Sequence, residues 1–338
     1  MIKIGIAGFG KIGRIRAKEI YANQNTELVA VYDLNHPDDL PENITLCSSF
    51  EDLLQCDIEA VFVCAYNDVL ADFTIAALEA GKHVFCEKPP AKTTKTLQAV
   101  IEAEQKSGLV LKYGFNHRYH YSVIEAKKLI DSDVMGELLW MRGVYGKAGS
   151  IDYHKNWRNY RKVSGGGILI DQGIHMLDLM LYFSGREFKH INSFVTTRYW
   201  DIEAEDNAFI VMQTDDEVTA MMHSSATQWR HKFLLEMTFE EGYVNLDGIL
   251  SETRSYAPEK LIVGRREFED ITHAMGKPQE KITWFEYDDS WKLEVDEFIN
   301  AISTGSKIIN GNSRDGLNVL SLVENIYQHS GFYSDKEK

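Results

Sequence analysis

Cysteine is scarce in this sequence, and so are proline and positive charge. Four cysteines, Cys47, Cys56, Cys64 and Cys86, all fall in the first third of 338 residues. They are too few for a disulfide framework, and their spacing matches no zinc pattern. Cys64 and Cys86 lie in segments that read as buried strands, so the thiols are expected to be reduced and the protein cytoplasmic. Lys and Arg number 36 against 51 Asp and Glu, a formal net charge of −15. That balance argues against a nucleic-acid-binding or acidic-membrane face, while leaving room for a local basic pocket. No apolar run approaches the ~18 residues of a membrane span. The chain enters a strand at once, without a basic segment leading to an apolar run, so no signal peptide is expected. There is no internal repeat and no low-complexity segment. The length suggests two domains.

What is present begins at the N-terminus. Ile2–Ala7 is an apolar run fit for a buried strand, and Gly8-Phe9-Gly10-Lys11-Ile12-Gly13 follows it. A helical pattern then runs through Ile15, Ala17, Ile20 and Tyr21. A GxGxxG between strand and helix is the context that gives the motif meaning. Gly8 permits the tight turn, Gly10 lets a pyrophosphate approach the backbone, and Gly13 lets helix and strand pack closely. The helix N-terminus offers N–H groups and a positive dipole end to the phosphates. A second strand ends at Asp33, twenty residues after Gly13, where an acid that binds the adenosine ribose should sit. A 2′-phosphate there would meet a like charge, so NAD is expected and NADP is disfavoured.

Strand and helix patterns alternate to about residue 118, as a parallel sheet requires. Strands read at 60–65, 83–86 and 109–113, and helices at about 68–80 and 93–107. The stretch after Asp33, with Pro37 and Pro41, reads as a polar loop. Parallel strands present ligand-binding residues at their carboxyl ends. Asp33, Asn67, Glu87, Lys88, Asn116 and Arg118 are therefore expected along one edge. After a helix at about 119–131 the character changes. Residues 137–146 and 191–265 read as sequential antiparallel strands of one larger sheet, and helices return at about 290–303 and 314–329. The tail Ser334–Lys338 is expected to fray. One face of the larger sheet can pack on helices. The other is expected to carry Trp140, Trp200, Met221, Phe233 and Leu235, which predicts a homo-oligomer, a dimer or tetramer.

Gly165-Gly166-Gly167 leads into Ile168-Leu169-Ile170-Asp171-Gln172-Gly173-Ile174-His175. The spacing of Asp171 and His175 puts both on one face of a helix. Together they could position and deprotonate a substrate hydroxyl. From the residues alone, Asp171 could equally cap the helix and His175 be a packed histidine. His117 and His120 invite a metal reading, but no acidic or cysteine partner recurs at ligand spacing, so no metal is expected.

These motifs, in this order, resemble the Gfo/Idh/MocA oxidoreductase family. The resemblance rests on Gly8–Gly13, on Ala76-Ala77-Leu78-Glu79-Ala80-Gly81-Lys82-His83-Val84 leading to Glu87-Lys88-Pro89, on Gly114-Phe115-Asn116-His117-Arg118, and on the glycine triplet through His175. It covers nearly the whole chain. It implies an α/β protein with a Rossmann domain over 1–118 and a C-terminal α+β domain over 119–338, built on a large, mostly antiparallel sheet. Gly8, Gly10, Lys11, Ile12, Gly13, Asp33, Asn67, Glu87 and Asn116 would bind NAD. Lys88 would match the active-site lysine, with a cis peptide to Pro89, and Asp171 and His175 the acid and histidine that position substrate and move its proton. The three would line one pocket at the domain junction.

Arg118, Trp157 and Arg158 would contact substrate. The last two lie in the basic, aromatic loop 154–162, which could instead be a solvated loop with one anchoring tryptophan. Two departures stand out. Ala65-Tyr66-Asn67 and Leu70 occupy positions where the family often has Thr-Pro-Asn and a histidine, and Pro90 follows Glu-Lys-Pro in place of an aliphatic residue. The resemblance implies an NAD(P)-dependent dehydrogenase or reductase acting on a ring CH–OH. The cationic loop favours a nucleotide-linked sugar, with a free sugar, inositol or other cyclic polyol as the alternative. A catalytically inactive dinucleotide-binding regulator is the alternative from another class.

Overall fold

The computed structural model describes residues 1–35, 37–268, 272–273 and 276–333, so the tail Ser334–Lys338 lies outside the described residues. Packing divides the chain into two compact units. The first comprises Met1–Asn116, Lys162–Gly165 and Ser290–Ser321; the second His117–Arg161, Gly166–Asp289 and the chain from Leu322.

In the first unit, strands too apolar to alternate need cover on both faces, which a parallel sheet with helical crossovers provides. The strands are β1 (Ile2–Ala7), β2 (Thr26–Tyr32), β3 (Thr45–Cys47), β4 (Ala60–Val63), β5 (His83–Cys86) and β6 (Leu111–Tyr113). They pair in the order β3-β2-β1-β4-β5-β6, all parallel. The helices of this part are α1 (Lys11–Ala22), α2 (Phe50–Gln55), α3 (Leu70–Glu79) and α4 (Thr94–Ser107). Two of these elements, β3 and α2, stand where part of a polar loop was expected. At three and six residues they are too short to show a period.

Helix α8 (Ser290–Thr304) places Val295, Phe298 and Ile299 in the same core as β1, β4 and β5. Phe298 meets Phe62 and Phe85 edge-on, with centroids 5.5 and 5.7 Å away. Burying such a ring stabilises by roughly 1.5–3 kcal/mol. A buried ion cluster lies beside it. Arg16 is fully buried and donates to Glu87 and Glu294, both at 2.7 Å. Its guanidinium lies over the rings of Phe85 and Trp291. Burial alone would weaken the Arg16 charge, and the two carboxylates more than offset it. Burial pushes Glu294 up to about 7, with a smaller push from the Glu87 charge, against the pull of Arg16 and Lys112.

The second unit is built on eight strands: β7 (Leu138–Gly146), β8 (His190–Thr196), β9 (Asn207–Gln213), β10 (Thr219–Ser225), β11 (Lys232–Phe239), β12 (Gly242–Asp247), β13 (Glu259–Arg265) and β14 (Glu280–Phe285). Their order is β14-β13-β12-β11-β7-β10-β9-β8. The strands are thus not sequential neighbours throughout. The first, β7, inserts between β11 and β10 and runs parallel to β10, the single parallel pair in the described sheet. Helices α5 (Tyr121–Asp131) and α7 (Ile174–Ser184) cover one face. At Gly143 an added Cβ would stand 2.7–3.0 Å from Met180 and Met176, so α7 sits close on β7. The chain also forms the short α6 (Arg161–Ser164) and the long α9 (Ser313–Ser330).

The uncovered face differs in membership from expectation. Phe233 and Leu235 point into the core, and Trp200 lies in a loop. Strand alternation assigns faces only when the register is known. Trp140 and Met221 are exposed as expected, and Phe194, Phe209 and Val211 join them. Val211 pairs with Met221, and Phe209 with Phe194.

Candidate active site

The glycine motif forms a cradle. Gly10 is the N-cap of α1 and carries no side-chain cap, so the helix N-terminus is open to a ligand. Gly8 is left-handed at φ +93°, a conformation that favours glycine. A Cβ on Gly13 would stand 2.0 Å from the Gly8 carbonyl oxygen, so only glycine lets α1 approach β1 here. A cavity of about 500 Å³ opens beside this turn, lined by Gly8, Gly10, Lys11, Arg14, Tyr32, Asp33 and Phe73, among others.

Asp33 accepts from the Phe9 N–H and, at 2.7 Å, from the Asn35 N–H, which fixes its carboxylate at the end of β2. Arg14, the nearest arginine to this acid in the cavity, is paired with Asp39 through both of its terminal nitrogens. The cradle therefore fits a dinucleotide whose ribose meets an acid. Such a group would be held by the Gly8–Gly13 turn and Asp33.

The remaining first-unit residues have these places. Asn67 donates to the Ser164 carbonyl at 2.9 Å, and Asn116 to the Ser290 hydroxyl at 3.3 Å. Glu87 is buried on Arg16. Lys88 follows β5 and is half-buried, and its peptide to Pro89 is cis, as the resemblance implied.

In the second unit the approach to α7 is not a regular helix. Leu169–Gly173 winds as a π-turn, and α7 starts at Ile174. The i,i+4 spacing of Asp171 and His175 therefore spans a junction, and one shared α-helical face is the wrong picture. Such π-turns occur frequently at functional sites. Asp171 is gripped by two cations, Lys147 at 2.9 Å and Arg158 at 3.0 Å. Arg158 also lies over the Trp157 ring, 4.4 Å from its centroid. His175 is buried and lies flat on His117, with centroids 4.0 Å apart. His117 Nε2 shares a 3.0 Å hydrogen bond with the Tyr145 hydroxyl. Next to it, His120 bonds Glu259 at 3.0 Å. Arg118, expected to contact substrate, is 4% exposed and clasped by both carboxylate oxygens of Asp178 at 2.8 and 2.6 Å. Among the described residues no group of three or more His, Cys, Asp or Glu could hold a metal ion.

Sequence reasoning passed over Lys147, Tyr145 and Glu205. The fully buried Glu205 carboxylate accepts from the N–H groups of Gly167 (2.8 Å) and Leu169 (3.0 Å) and from the hydroxyls of Tyr327 and Tyr333, both at 2.6 Å. Burial pushes its carboxyl up, against the pull of these donors. A Cβ on Gly167 would stand 2.2 Å from the Glu205 carbonyl oxygen, which explains one glycine of the triplet. No local signal marks these residues. Glu205 lies 38 residues beyond Gly167, and Lys147 simply follows a strand.

The first unit's sheet order and glycine cradle define a dinucleotide-binding α/β domain. The comparisons carry this further. Residues 2–115 match the model of an oxidoreductase family with an NAD-binding Rossmann fold, GFO_IDH_MocA, and residues 123–245 match the GFO/IDH/MocA C-terminal domain. The chain belongs to the Gfo/Idh/MocA family and is an NAD-dependent oxidoreductase acting on CH–OH groups. It is similar to inositol 2-dehydrogenase of Salmonella typhimurium, 28% identical over 291 residues, covering 80% of this chain and 82% of that protein. It is 32% identical to D-glucoside 3-dehydrogenase of Escherichia coli over 191 residues, 54% of each. The solved structure of levoglucosan dehydrogenase in complex with NADH has the same fold, with a TM-score of 0.82 at 20% identity over 98% of this chain and 97% of that one. Among the described residues no helix is long and apolar enough to cross a membrane.

Proposed function

We propose that this enzyme interconverts a secondary ring hydroxyl and a ketone on a sugar or cyclic polyol that carries no nucleotide. The observation that carries the reading is the grip on Asp171. Two cations hold a half-buried carboxylate four residues before a buried, stacked histidine, an arrangement suited to fixing polar hydroxyls rather than to packing. NAD, when bound, supplies the hydride acceptor. Loss of hydride from carbon requires the hydroxyl proton to leave as well. A His175 ring nitrogen takes that proton, and the Lys88 ammonium stabilises the charge growing on oxygen. Asp171 accepts from a neighbouring hydroxyl and sets which carbon faces the cofactor. Trp157 supplies an apolar wall.

The basic loop was the ground for expecting a nucleotide-linked substrate. Two of its cations are held by carboxylates of the same unit: Arg158 by Asp171, and Lys155 by Asp152 at 2.8 Å. The relatives in sequence described above are named for inositol and a D-glucoside. Both points favour the unlinked ring. The same reading includes a cytoplasmic location, supported by four free thiols, and a homodimer or homotetramer, supported by the exposed row of Phe194, Phe209, Val211 and Met221.

The test is NADH formation against myo-inositol, methyl glucosides, free hexoses and UDP-linked hexoses. The expected result is turnover of an unlinked ring with kcat/KM at least tenfold above any UDP-sugar. Turnover of UDP-sugars alone would overturn the substrate class. NADH binding with no turnover of any ring compound would favour the regulatory alternative.

A further inference from the structure

Two of the four thiols face each other across the edge of the first unit. Cys47 ends β3, Cys56 follows α2, and their sulfurs are 3.6 Å apart. Cys47 is buried, whereas Cys56 is partly exposed. Cys56 is therefore the thiol that a small solute reaches, and Cys47 waits behind it. The segment between them is ordered by its own contacts. Ser49 caps α2 by accepting from the Asp52 N–H, and the Cys56 thiol points to the Asp52 carbonyl at 3.5 Å.

The segment also packs behind two residues that line the cavity beside the glycine turn. Phe50, the first residue of α2, stacks on Phe73 at 4.0 Å between centroids and 7° between planes, and tilts against Tyr32 at 6.5 Å. Phe73 and Tyr32 both line the cavity. Tyr32 is also the β2 residue in register with Cys47. The two sulfurs and the two cavity rings thus share Phe50 and the β2–β3 pairing.

We propose that Cys47 and Cys56 form a reversible dithiol–disulfide site, and that closing it weakens dinucleotide binding. The oxidant class is a peroxide. Cys56 sulfur attacks one peroxide oxygen and the O–O bond breaks, giving a sulfenic acid and, after protonation, water. Cys47 sulfur then attacks the Cys56 sulfur, loses its proton, and the sulfenic oxygen leaves as a second water. Two thiols are oxidised by two electrons and one peroxide is reduced. The sulfurs must approach by about 1.5 Å to bond, which draws the end of α2 toward β3 and shifts Phe50 against Phe73. Burial and the neighbouring Cys56 push the Cys47 thiol up, which leaves the more exposed Cys56 to react first; the part of that push that comes from Cys56 falls away once its sulfur is oxidised.

The test treats the full-length, cofactor-free protein with a small excess of hydrogen peroxide. Intact mass, thiol titration and NADH affinity are then measured. The expected result is a loss of about 2 Da, two of four thiols gone, a crosslink mapped to Cys47 and Cys56, and NADH affinity at least threefold weaker. Dithiothreitol should restore all of these. Cys56→Ser and Cys47→Ser should show neither the mass loss nor the affinity change, while binding NADH normally before treatment. A mass loss that persists in Cys56→Ser, or oxygen addition in the wild type without crosslinking, overturns the site. A complete crosslink with unchanged NADH affinity overturns the coupling.

Discussion

Replacing Glu205 with alanine should damage the site without touching any group proposed to contact substrate. Two backbone N–H groups, of Gly167 and Leu169, would lose their acceptor in a buried place. Each orphaned donor costs roughly 1–3 kcal/mol. The tyrosine hydroxyls of Tyr327 and Tyr333 would lose theirs as well. Relief works the other way, because a carboxylate held in the interior is itself costly. With four donors on one carboxylate the losses should prevail, leaving a net destabilisation of about 3–5 kcal/mol. For a unit of this size that corresponds to a fall in Tm of roughly 6 °C or more. Differential scanning calorimetry reads it, and turnover should fall because the π-turn bearing Asp171 loses its anchor. Glu205→Gln keeps one acceptor oxygen and should fall between wild type and Glu205→Ala. A Tm within 1 °C of wild type for Glu205→Ala would refute the reasoning, since buried donors cannot lose a shared acceptor at no cost.

The buried ion cluster makes a pH prediction. The folded value of Glu294, about 7, lies above the ordinary carboxylate range, so the folded state holds a proton that the unfolded chain has released. Stability contributed by this group is therefore present at acid pH and declines as pH rises from about 4.5 to about 7; Glu294→Gln should flatten that decline, measured as Tm at pH 5 and pH 8, and an unchanged slope would contradict it. Asp33→Ser should weaken NAD binding about tenfold while narrowing the preference over NADP, measured by titration of both cofactors; undiminished preference would mean that Asp33 does not face the ribose. Sedimentation should show a dimer or tetramer at micromolar concentration, and Phe209→Glu, in the exposed row, should dissociate it; a monomeric wild type would contradict this use of the sheet.

Long, strongly patterned elements are legible in the sequence. The β1–glycine–α1 unit, Asp33 at the end of β2, and helices α3, α4, α5, α8 and α9 fall within a few residues of their expected places, because each has its own period or its own punctuation. The short β3 and α2 were not legible, since three and six residues cannot display a period. The insertion of β7 between β11 and β10 was hidden for a different reason, as strand order is a tertiary choice. So was the membership of the open sheet face, where Phe233 and Leu235 read as outward and pack inward. At the candidate site, the identities of Lys88, Asp171 and His175 came from motif order. Their surroundings did not: the π-turn, the Lys147 and Arg158 grip on Asp171, and the Glu205 anchor all join residues far apart in the chain. Arg118 is instructive, because its place at the end of the parallel strands suggested substrate while Asp178 holds it inside.

The claim on which this account turns is that Lys88 acts on the reacting oxygen. The most direct measurement is pre-steady-state NADH formation by Lys88→Met and wild type, using the best unlinked ring substrate from the panel with protium or deuterium at the reacting carbon. The account expects hydride transfer in the variant to be slower by about 10²-fold or more, isotope-sensitive, and accompanied by NADH affinity within a factor of two of wild type. Hydride transfer at the wild-type rate in Lys88→Met would contradict it.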